Sequence, residues 1–386
     1  MNKINGGDLM KKIQMVDLKS QYEKIKNEID KSIINVIEST AFINGPEVNN
    51  FQLEFEKYLN VKHVIPCANG TDALQVAMMA LGLKPGDEVI APSFTFVATA
   101  EVIALLGLTP VLVDVDADTF NIDPKAILKA ITPKTKAIVP VHLFGQCADM
   151  DAVTEIALKY NLFIIEDTCQ ATGADYFMKN GSTKKAGTIG HVGCTSFFPS
   201  KNLGCYGDGG AIFTNDDELA KKLRIIVNHG MTVRYHHDMI GVNSRLDSFQ
   251  AAILRIKLKH LDEYAAARKN AALYYDKAFK GCSKLKTPAH FEKSTHVFHQ
   301  YTLVTNNVDR PKLQEFLQER GIPAMVYYPI PMHLQKAYQD TRYKEGDFPV
   351  TENLSKNVIS LPMHTELDEE QLIHITNAVL EYVNKN

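Results

Sequence analysis

The chain has 386 residues, of which 45% are hydrophobic and 23% are charged, and its formal net charge is −3 at pH 7. This length is sufficient for two packed lobes, and the composition is that of an ordinary globular protein. The small net charge gives no electrostatic reason to expect binding to nucleic acid or to an anionic membrane, and no apolar run is long enough to span a bilayer.

The six cysteines form no CxxC pair and do not have the spacing of a small disulfide-bonded domain. Several of them lie within apolar, strand-like runs, which predicts reduced, buried thiols and a cytoplasmic protein. The N-terminus lacks the apolar core of a signal peptide. We therefore expect residues 1–15 to be a flexible lead-in.

The first part of the chain predicts two helices followed by alternating strands and helices. An amphipathic helix is expected over residues 18–38, and a second helix passes through Phe51, Phe55 and Leu59. Short segments rich in Val, Ile and Leu then alternate with helical patterns. The predicted strands are 63–66, 88–91, 110–115, 136–141 and 162–166. This alternation predicts an α/β fold with a mostly parallel sheet covered on both faces, whose ligands bind beyond the carboxyl ends of the strands.

The second part of the chain predicts a change of architecture. A long helical pattern runs from Leu246 towards Tyr275, and an unbroken helix of this length commonly links two lobes. We place the boundary near its middle, giving a large domain over residues 1–258 and a small α+β domain over residues 259–386. The small domain is predicted to contain a strand near residues 299–304 and a final helix over residues 369–383.

One lysine stands out by its surroundings. Lys201 lies between an apolar run that predicts the end of a buried strand, residues 196–199, and a glycine-rich segment, residues 204–210. In an ordinary loop a lysine is a solvated surface charge. A lysine held in this position would be partly desolvated, which lowers its pKa and leaves more of the neutral amine that Schiff-base chemistry requires.

Two further motifs lie at the predicted carboxyl ends of strands. Gly70 and Thr71 would place free backbone N–H groups and a hydroxyl at a helix N-terminus, which suits an anion but also fits a simple helix cap. Phe94 and Phe96 follow the next strand, where an aromatic ring can lie on a planar heterocycle. We expect one of these two rings to belong to the core.

The segment SFFPSKNLGCYGDGGAIFTNDDELA, residues 196–220, resembles the lysine-bearing segment of the DegT/StrS-type nucleotide-sugar aminotransferases. These are fold-type-I enzymes that use pyridoxal 5′-phosphate (PLP), and Lys201 occupies their Schiff-base position. The related sugar dehydratases carry histidine there, so lysine favours transamination. The resemblance extends from about Val16 to the C-terminal helix.

The resemblance implies a role for each candidate cofactor residue. The implied cofactor contacts are Gly70, Thr71, Ser196 and Asn243 at the phosphate, Phe96 on the ring face, Asp167 at the pyridine nitrogen and Gln170 at the 3-oxygen. A carboxylate keeps that nitrogen protonated, so that the ring can act as an electron sink. From the residues alone, Asp167 could equally cap a helix, and Ser196 could be a satisfied buried hydroxyl. In the family the asparagine reaches the phosphate of the other subunit, which implies a homodimer with shared active sites.

The runs at residues 204–210, 235–237, 241–247 and 328–331 look most like those of the UDP-2-acetamido-2-deoxy-3-oxo-glucuronate aminotransferases. These enzymes make a 2,3-diamino uronic acid for surface polysaccharide, with L-glutamate as the family's usual amino donor. Arg245 would then bind the sugar carboxylate through its bidentate guanidinium, although it could also be a surface charge at a helix start. Tyr328 and Tyr327 are also implied at the substrate, but Tyr327 stands where the family usually has histidine.

Two other functions remain open at this point. A dTDP- or GDP-linked keto-6-deoxysugar is an alternative substrate, and a non-catalytic sensor or regulator is an alternative class of protein. The intact set of PLP residues and the lack of a DNA-binding segment or basic patch disfavour the regulator. The run Tyr235-His236-His237-Asp238 could suggest a metal site, but no third ligand is suitably spaced and we expect no metal.

Overall fold

The computed structural model describes residues 11–385. Within that range the chain forms twelve α-helices, numbered in chain order. They are α1 (Leu18–Ser39), α2 (Pro46–Leu59), α3 (Gly70–Ala80), α4 (Ala98–Leu105), α5 (Pro124–Ala130), α6 (Met150–Tyr160), α7 (Asp217–Ile226), α8 (Ser248–Leu258), α9 (Leu261–Phe279), α10 (Arg310–Glu319), α11 (Pro349–Asn357) and α12 (Glu369–Lys385).

The same residues form fourteen strands, half of them in one large sheet. They are β1 (His63–Cys67), β2 (Glu88–Pro92), β3 (Thr109–Val113), β4 (Thr135–Ile138), β5 (Phe163–Asp167), β6 (Asp175–Phe177), β7 (Thr183–Lys185), β8 (Val192–Ser196), β9 (Gly210–Thr214), β10 (Met231–Val233), β11 (His236–His237), β12 (Leu285–Lys286), β13 (Tyr301–Thr305) and β14 (Val358–Leu361).

The large sheet has seven strands in the order β1-β9-β8-β5-β4-β2-β3. Neighbouring strands from β8 to β3 are parallel, and only β9 runs against its two neighbours. The central strands are apolar and buried because helices cover both faces of the sheet. This confirms the predicted α/β class with a mostly parallel sheet. It also brings the carboxyl ends of β1, β2, β5 and β8 to one edge of the sheet.

A second, three-stranded antiparallel sheet, β12-β13-β14, packs against α9, α10 and α12 and forms a separate core. The chain reaches it through α8 and α9, which are two helices rather than the one continuous helix expected. The interruption lies at Lys259 and His260, where the backbone N–H of Lys259 bonds to the carbonyl of Ile256 in a tighter turn. The boundary predicted after residue 258 falls at this interruption, and the division into domains stays a prediction.

A flexible lead-in was predicted over residues 1–15. Residues 1–10 of it lie outside the described residues. Residues 11–15 are part of the folded protein, because Ile13 is buried in the core of the small sheet. The Met15 carbonyl also accepts a hydrogen bond from the Met363 backbone, at 3.2 Å. Together with a hydrogen bond from Gln371 Nε2 to the Lys11 carbonyl at 3.3 Å, these contacts attach the stretch to the C-terminal part of the chain.

Residues 329–350, which we call the return segment, leave the small sheet and pack on the large one. Met332 and Phe348 are buried in the same apolar core as residues of β2, β3 and α3. The Tyr343 hydroxyl accepts from the Leu112 backbone at 2.9 Å, and the Arg342 guanidinium donates to the Pro110 carbonyl at 3.0 Å. Both partners lie on β3, the last strand of the sheet, so the return segment covers that edge.

None of the helices between residues 11 and 385 has the length and the apolar character that crossing a lipid bilayer requires. The same part of the chain contains no group of three or more His, Cys, Asp or Glu side chains placed to hold a metal ion. His236 and His237 are exposed in the small β10–β11 hairpin. The cytoplasmic location stays a prediction.

Candidate active site

The sheet register brings several predicted site residues together. Cys67 at the end of β1 and Ser196 at the end of β8 both pair with Gly210, the first residue of β9. Asp167 ends β5 and pairs with Cys194 of β8. The helix α3, the segment leading to Lys201 and the carboxylate of Asp167 therefore start from neighbouring points on one edge of the sheet.

The N-terminus of α3 lies at this edge of the sheet, beside the end of β8. Asn69 caps the helix by accepting a hydrogen bond from the Asp72 backbone at 2.8 Å, which leaves Gly70 and Thr71 at the first two helical positions. The N–H groups of these positions have no partner within a helix. A Cβ atom on Gly70 would lie 2.7 Å from Ser196 Cβ and 2.9 Å from Cys169 Sγ. Glycine thus allows the helix to approach Ser196 closely, so that its N–H groups and the serine hydroxyl share one site.

The strand β8 ends at Ser196, three residues before the end predicted from the sequence. The Ser196 hydroxyl accepts from the Phe198 backbone at 3.2 Å, and the Phe198 carbonyl accepts from the Lys201 backbone at 2.8 Å. Because these are local turn bonds rather than hydrogen bonds between strands, the chain turns out of the sheet here. The Ser196 hydroxyl proton stays available to an anion at the N-terminus of α3.

Lys201 is half-buried at this edge of the sheet. Burial lowers the pKa of its amine below 10.5, the ordinary value for lysine, while Cys169 and Asp167 act in the opposite direction. Burial likewise raises the pKa of the Cys169 thiol well above its ordinary value, so this cysteine is a neutral neighbour. Lys201 therefore has the lowered proton affinity that the sequence predicts, close to one carboxylate.

Asp167 is buried and held by two hydrogen bonds. Its Oδ1 atom accepts from the Cys169 backbone at 3.1 Å, and its Oδ2 atom accepts from the Thr99 hydroxyl at 3.3 Å. Thr99 and Cys169 were not identified from the sequence. Both bonds fix the carboxylate in one orientation, as a partner for a cationic ring nitrogen requires.

Gln170 connects the sheet edge to the C-terminal part of the chain. Its Oε1 atom accepts from the Phe144 backbone at 2.8 Å, and its Nε2 atom donates to the Tyr328 hydroxyl at 3.0 Å. One N–H of the amide remains for a ligand. Burial raises the pKa of Tyr328, so its hydroxyl stays neutral at ordinary pH. Tyr327 is half-buried beside it, across a cis peptide bond.

The two phenylalanines after β2 occupy different environments. Phe94 is 1% exposed and packs in the core with Phe120 and Phe144, whereas Phe96 is 54% exposed. Both rings face Tyr328, with centroids 6.0 and 6.3 Å away. Phe96 is therefore the ring that remains accessible to a ligand, as the sequence reasoning expects.

Asn243 and Arg245 lie on the segment before α8, residues 241–247, which passes beside the start of α3. The Ser244 hydroxyl accepts from the Ala68 backbone at 3.0 Å and fixes this position. Asn243 is exposed and Arg245 is partly exposed. Among the described residues, neither side chain forms a hydrogen bond with another candidate site residue, so within one chain the structure does not bring them into the group around Lys201.

Comparisons with known proteins show which family the chain resembles. A model described as the DegT/DnrJ/EryC1/StrS aminotransferase family matches residues 23–380. The UDP-2-acetamido-2-deoxy-3-oxo-D-glucuronate aminotransferase of Pseudomonas aeruginosa is 49% identical over 356 residues, covering 92% of this chain and 96% of that protein. A Geobacillus stearothermophilus protein named "Pleiotropic regulatory protein" is 47% identical over 372 residues, covering 96% and 98%. The solved structure of S. venezuelae DesV in complex with a ketimine intermediate has a TM-score of 0.92 and 40% identity, covering 96% of this chain and 98% of that one.

The residues at the sheet edge fit PLP. The free N–H groups of α3 and the Ser196 hydroxyl suit its phosphate, the fixed Asp167 carboxylate suits its pyridine nitrogen, and Lys201 offers an amine of lowered pKa to its aldehyde. Glycine at position 70 keeps the α3 N–H groups beside the Ser196 hydroxyl, since a side chain there would collide with Ser196 and Cys169. The chain therefore belongs to the DegT/DnrJ/EryC1/StrS aminotransferase family, and it is a PLP-dependent sugar-nucleotide aminotransferase.

Proposed function

We propose that the protein converts UDP-2-acetamido-2-deoxy-3-oxo-glucuronate to its 3-amino product, with L-glutamate as donor, for surface polysaccharide. The observation that carries this proposal is Arg245, a guanidinium beside the start of α3 that has no hydrogen-bonding or ionic partner among residues 11–385. A partly desolvated guanidinium without a partner suits a carboxylate of a ligand. The 49% identity to the P. aeruginosa glucuronate enzyme supports the same substrate.

The proposed chemistry assigns one task to each group. Bound PLP supplies an electron sink for the carbanion formed next to the amino nitrogen. Lys201 Nζ, whose pKa is lowered by burial, takes the proton from the α-carbon of the amino donor and later returns a proton to C3 of the sugar. Asp167 keeps a positive charge on the ring nitrogen. The α3 N-terminus and Ser196 hold the phosphate, while Phe96, Gln170 and Tyr328 orient the ring and the substrate.

The substrate assignment predicts a selective effect of Arg245→Ala. A charged hydrogen bond contributes about 1.5–3 kcal/mol, so kcat/KM for the 3-oxo-glucuronate should fall roughly 10- to 150-fold. The first half-reaction with L-glutamate alone should change less, because the sugar is absent. Steady-state rates with the UDP-sugar and stopped-flow spectra with glutamate measure the two effects separately.

The matched control is Arg224→Ala, which removes an exposed arginine on α7 outside the site. This variant should retain the rates of the original enzyme. If Arg245→Ala retains full activity on the 3-oxo-glucuronate, or if the enzyme prefers a keto-6-deoxysugar linked to dTDP or GDP, the proposed substrate is wrong. A 6-deoxysugar has no carboxylate for Arg245 to bind.

We also propose that the enzyme is a homodimer in which Asn243 reaches the cofactor phosphate of the partner subunit. Asn243 is exposed, and large apolar side chains beside its segment are exposed as well: Phe42, Ile43 and Ile240. Ile43 pairs with Asp247, and the Phe42 ring stacks on Phe249 with centroids 5.6 Å apart. A group of exposed large apolar side chains on one segment is typical of an interface between subunits.

Shared active sites predict complementation between two inactive variants. Lys201→Ala and Asn243→Ala homodimers should each be nearly inactive, but after subunit exchange half of the dimers are mixed. One of the two sites in each mixed dimer is then intact, so about a quarter of the activity should return. Activity is measured before and after exchange, with sedimentation to establish the mass. A monomer, or no recovery although mixed dimers form, would contradict this proposal.

A further inference from the structure

A buried chain of three side chains lies behind the turn that carries Phe94 and Phe96. The Ser93 hydroxyl and His333 Nδ1 are 2.8 Å apart, and His333 Nε2 and Glu352 Oε1 are 3.1 Å apart. All three residues are buried. Ser93 follows β2, whereas His333 lies on the return segment and Glu352 on α11. These hydrogen bonds therefore link Ser93 to two residues that lie 240 and 259 positions further along the sequence.

The direction of these hydrogen bonds follows from the chemistry of the groups. The Glu352 carboxylate can only accept, and it also accepts from the Gly346 backbone at 2.8 Å. His333 Nε2 therefore donates to Glu352. In a neutral ring Nδ1 is then an acceptor, and the Ser93 hydroxyl donates to it. The Phe348 ring packs edge-on against the imidazole, with centroids 4.6 Å apart, and restricts its rotation.

A Ser-His-Glu arrangement resembles a catalytic triad, but this one cannot act as a nucleophilic site. Ser93 is 0% exposed, so no substrate can reach its hydroxyl. Its backbone is held as well: its N–H donates to the Val113 carbonyl at 2.8 Å, and its carbonyl accepts from the Met332 backbone at 2.9 Å. Ser93 is thus fixed through every polar group that it has, which is the property of an anchor.

What this anchor holds is the turn between β2 and α4. Phe94 and Phe96 are one and three residues after Ser93, and both rings face Tyr328, whose hydroxyl is hydrogen-bonded to Gln170. We propose that Ser93, His333 and Glu352 form a positioning relay, through which the return segment sets the orientation of this turn and hence of the cofactor ring that lies against it. The inference rests on the proposed stacking role of Phe96.

The relay can be tested with variants that retain one bond at a time. Asparagine at position 333 can present an acceptor near the Nδ1 position, towards Ser93, whereas glutamine can present a donor near the Nε2 position, towards Glu352. The relay predicts that Ser93→Ala and His333→Gln weaken PLP binding about fivefold to tenfold, because each loses the bond to the turn. It also predicts that His333→Asn stays closer to the original protein.

The decisive measurement is the visible circular dichroism of bound PLP, which depends on the orientation of the ring in its asymmetric site. It should change in Ser93→Ala and His333→Gln and be largely restored in His333→Asn. The measurement uses cofactor without sugar, so an error in the keto-sugar assignment does not affect it. Melting temperatures are recorded beside it to separate stability from ring orientation.

The matched control is Thr351→Val. Thr351 is the neighbour of Glu352 on α11, fully buried, and its hydroxyl donates to Asp114 Oδ1 at 2.8 Å. This variant removes one buried hydrogen bond nearby without touching the turn, so it should lower the melting temperature and leave the dichroism unchanged. If Ser93→Ala and His333→Gln also leave the dichroism and the PLP affinity unchanged, the three residues only stabilise the fold and the proposal is overturned.

Discussion

Replacing Lys201 with alanine is expected to reduce transamination by about four orders of magnitude or more, because this amine both binds the cofactor covalently and moves the proton. Keto-sugar-dependent turnover measures the loss. Borohydride treatment of the unchanged holoenzyme should attach the cofactor to Lys201, which peptide mass spectrometry locates.

The chain offers a matched control in a second buried lysine. Lys257 on α8 is 1% exposed, and burial lowers its pKa to about 8. Lys257→Met should retain the bound cofactor and most of the activity, since Lys257 is not among the residues assigned to the cofactor. If Lys201→Ala still turns over within tenfold of the original rate, or if Lys257 carries the reduced cofactor, the assignment of Lys201 is wrong.

The depressed pKa of Lys201 also sets a pH dependence. Deprotonation leaves the nucleophilic amine, and it occurs below pH 10.5 because burial disfavours the charged form. The rate at which cofactor-free protein captures PLP should therefore rise with pH and level off below pH 10.5. An exposed lysine would continue to gain reactivity up to its ordinary pKa.

Asp167→Asn is expected to lower kcat roughly 10- to 150-fold, because a charged hydrogen bond at the ring nitrogen contributes about 1.5–3 kcal/mol. The amide can still accept from the Cys169 backbone and can donate to the Thr99 hydroxyl, so the fold should tolerate the change. Single-turnover kinetics with L-glutamate would show whether the slow step is proton removal.

The neighbouring acid provides the contrasting variant. Glu166 faces the other side of the strand, where it accepts from the backbone of Gly187 at 2.9 Å and of Ile189 at 2.7 Å, and pairs with His142 at 2.9 Å. Glu166→Gln places an amide N–H₂ group among these donors and should destabilise the protein by about 1–3 kcal/mol. The folded fraction of the Glu166→Gln protein should nevertheless convert its substrates at the normal rate. If Glu166→Gln instead slows kcat as Asp167→Asn does, the two acids do not have separate tasks.

The elements that could be predicted from the sequence are those with a local pattern. Helix α6 has such a pattern, because its apolar residues recur at helical spacing and an aspartate precedes it. The parallel strands are buried on both faces and therefore form continuous apolar runs. The family and the PLP cofactor were predicted from one segment around Lys201, and both are confirmed. The individual site roles stay predictions.

The remaining features have no local pattern. The hairpins β6–β7 and β10–β11 are short and polar. Thr99 and Asp167 are 68 positions apart, and Ser93 and His333 are 240 apart. A bond of this kind depends on which strands become neighbours, so a single sequence contains no spacing from which it could be derived.

The cover that the return segment places on β3 has a consequence for the behaviour of the protein in concentrated solution. An uncovered edge strand offers a row of free N–H and C=O groups that can recruit a strand from another molecule and begin aggregation. Here Arg342 and Tyr343 bind two of those groups, at Pro110 and Leu112. A protein cut after residue 258 would lose this cover together with the small sheet. The exposed edge of β3 would then promote aggregation, so the truncated protein would not be a stable, soluble domain.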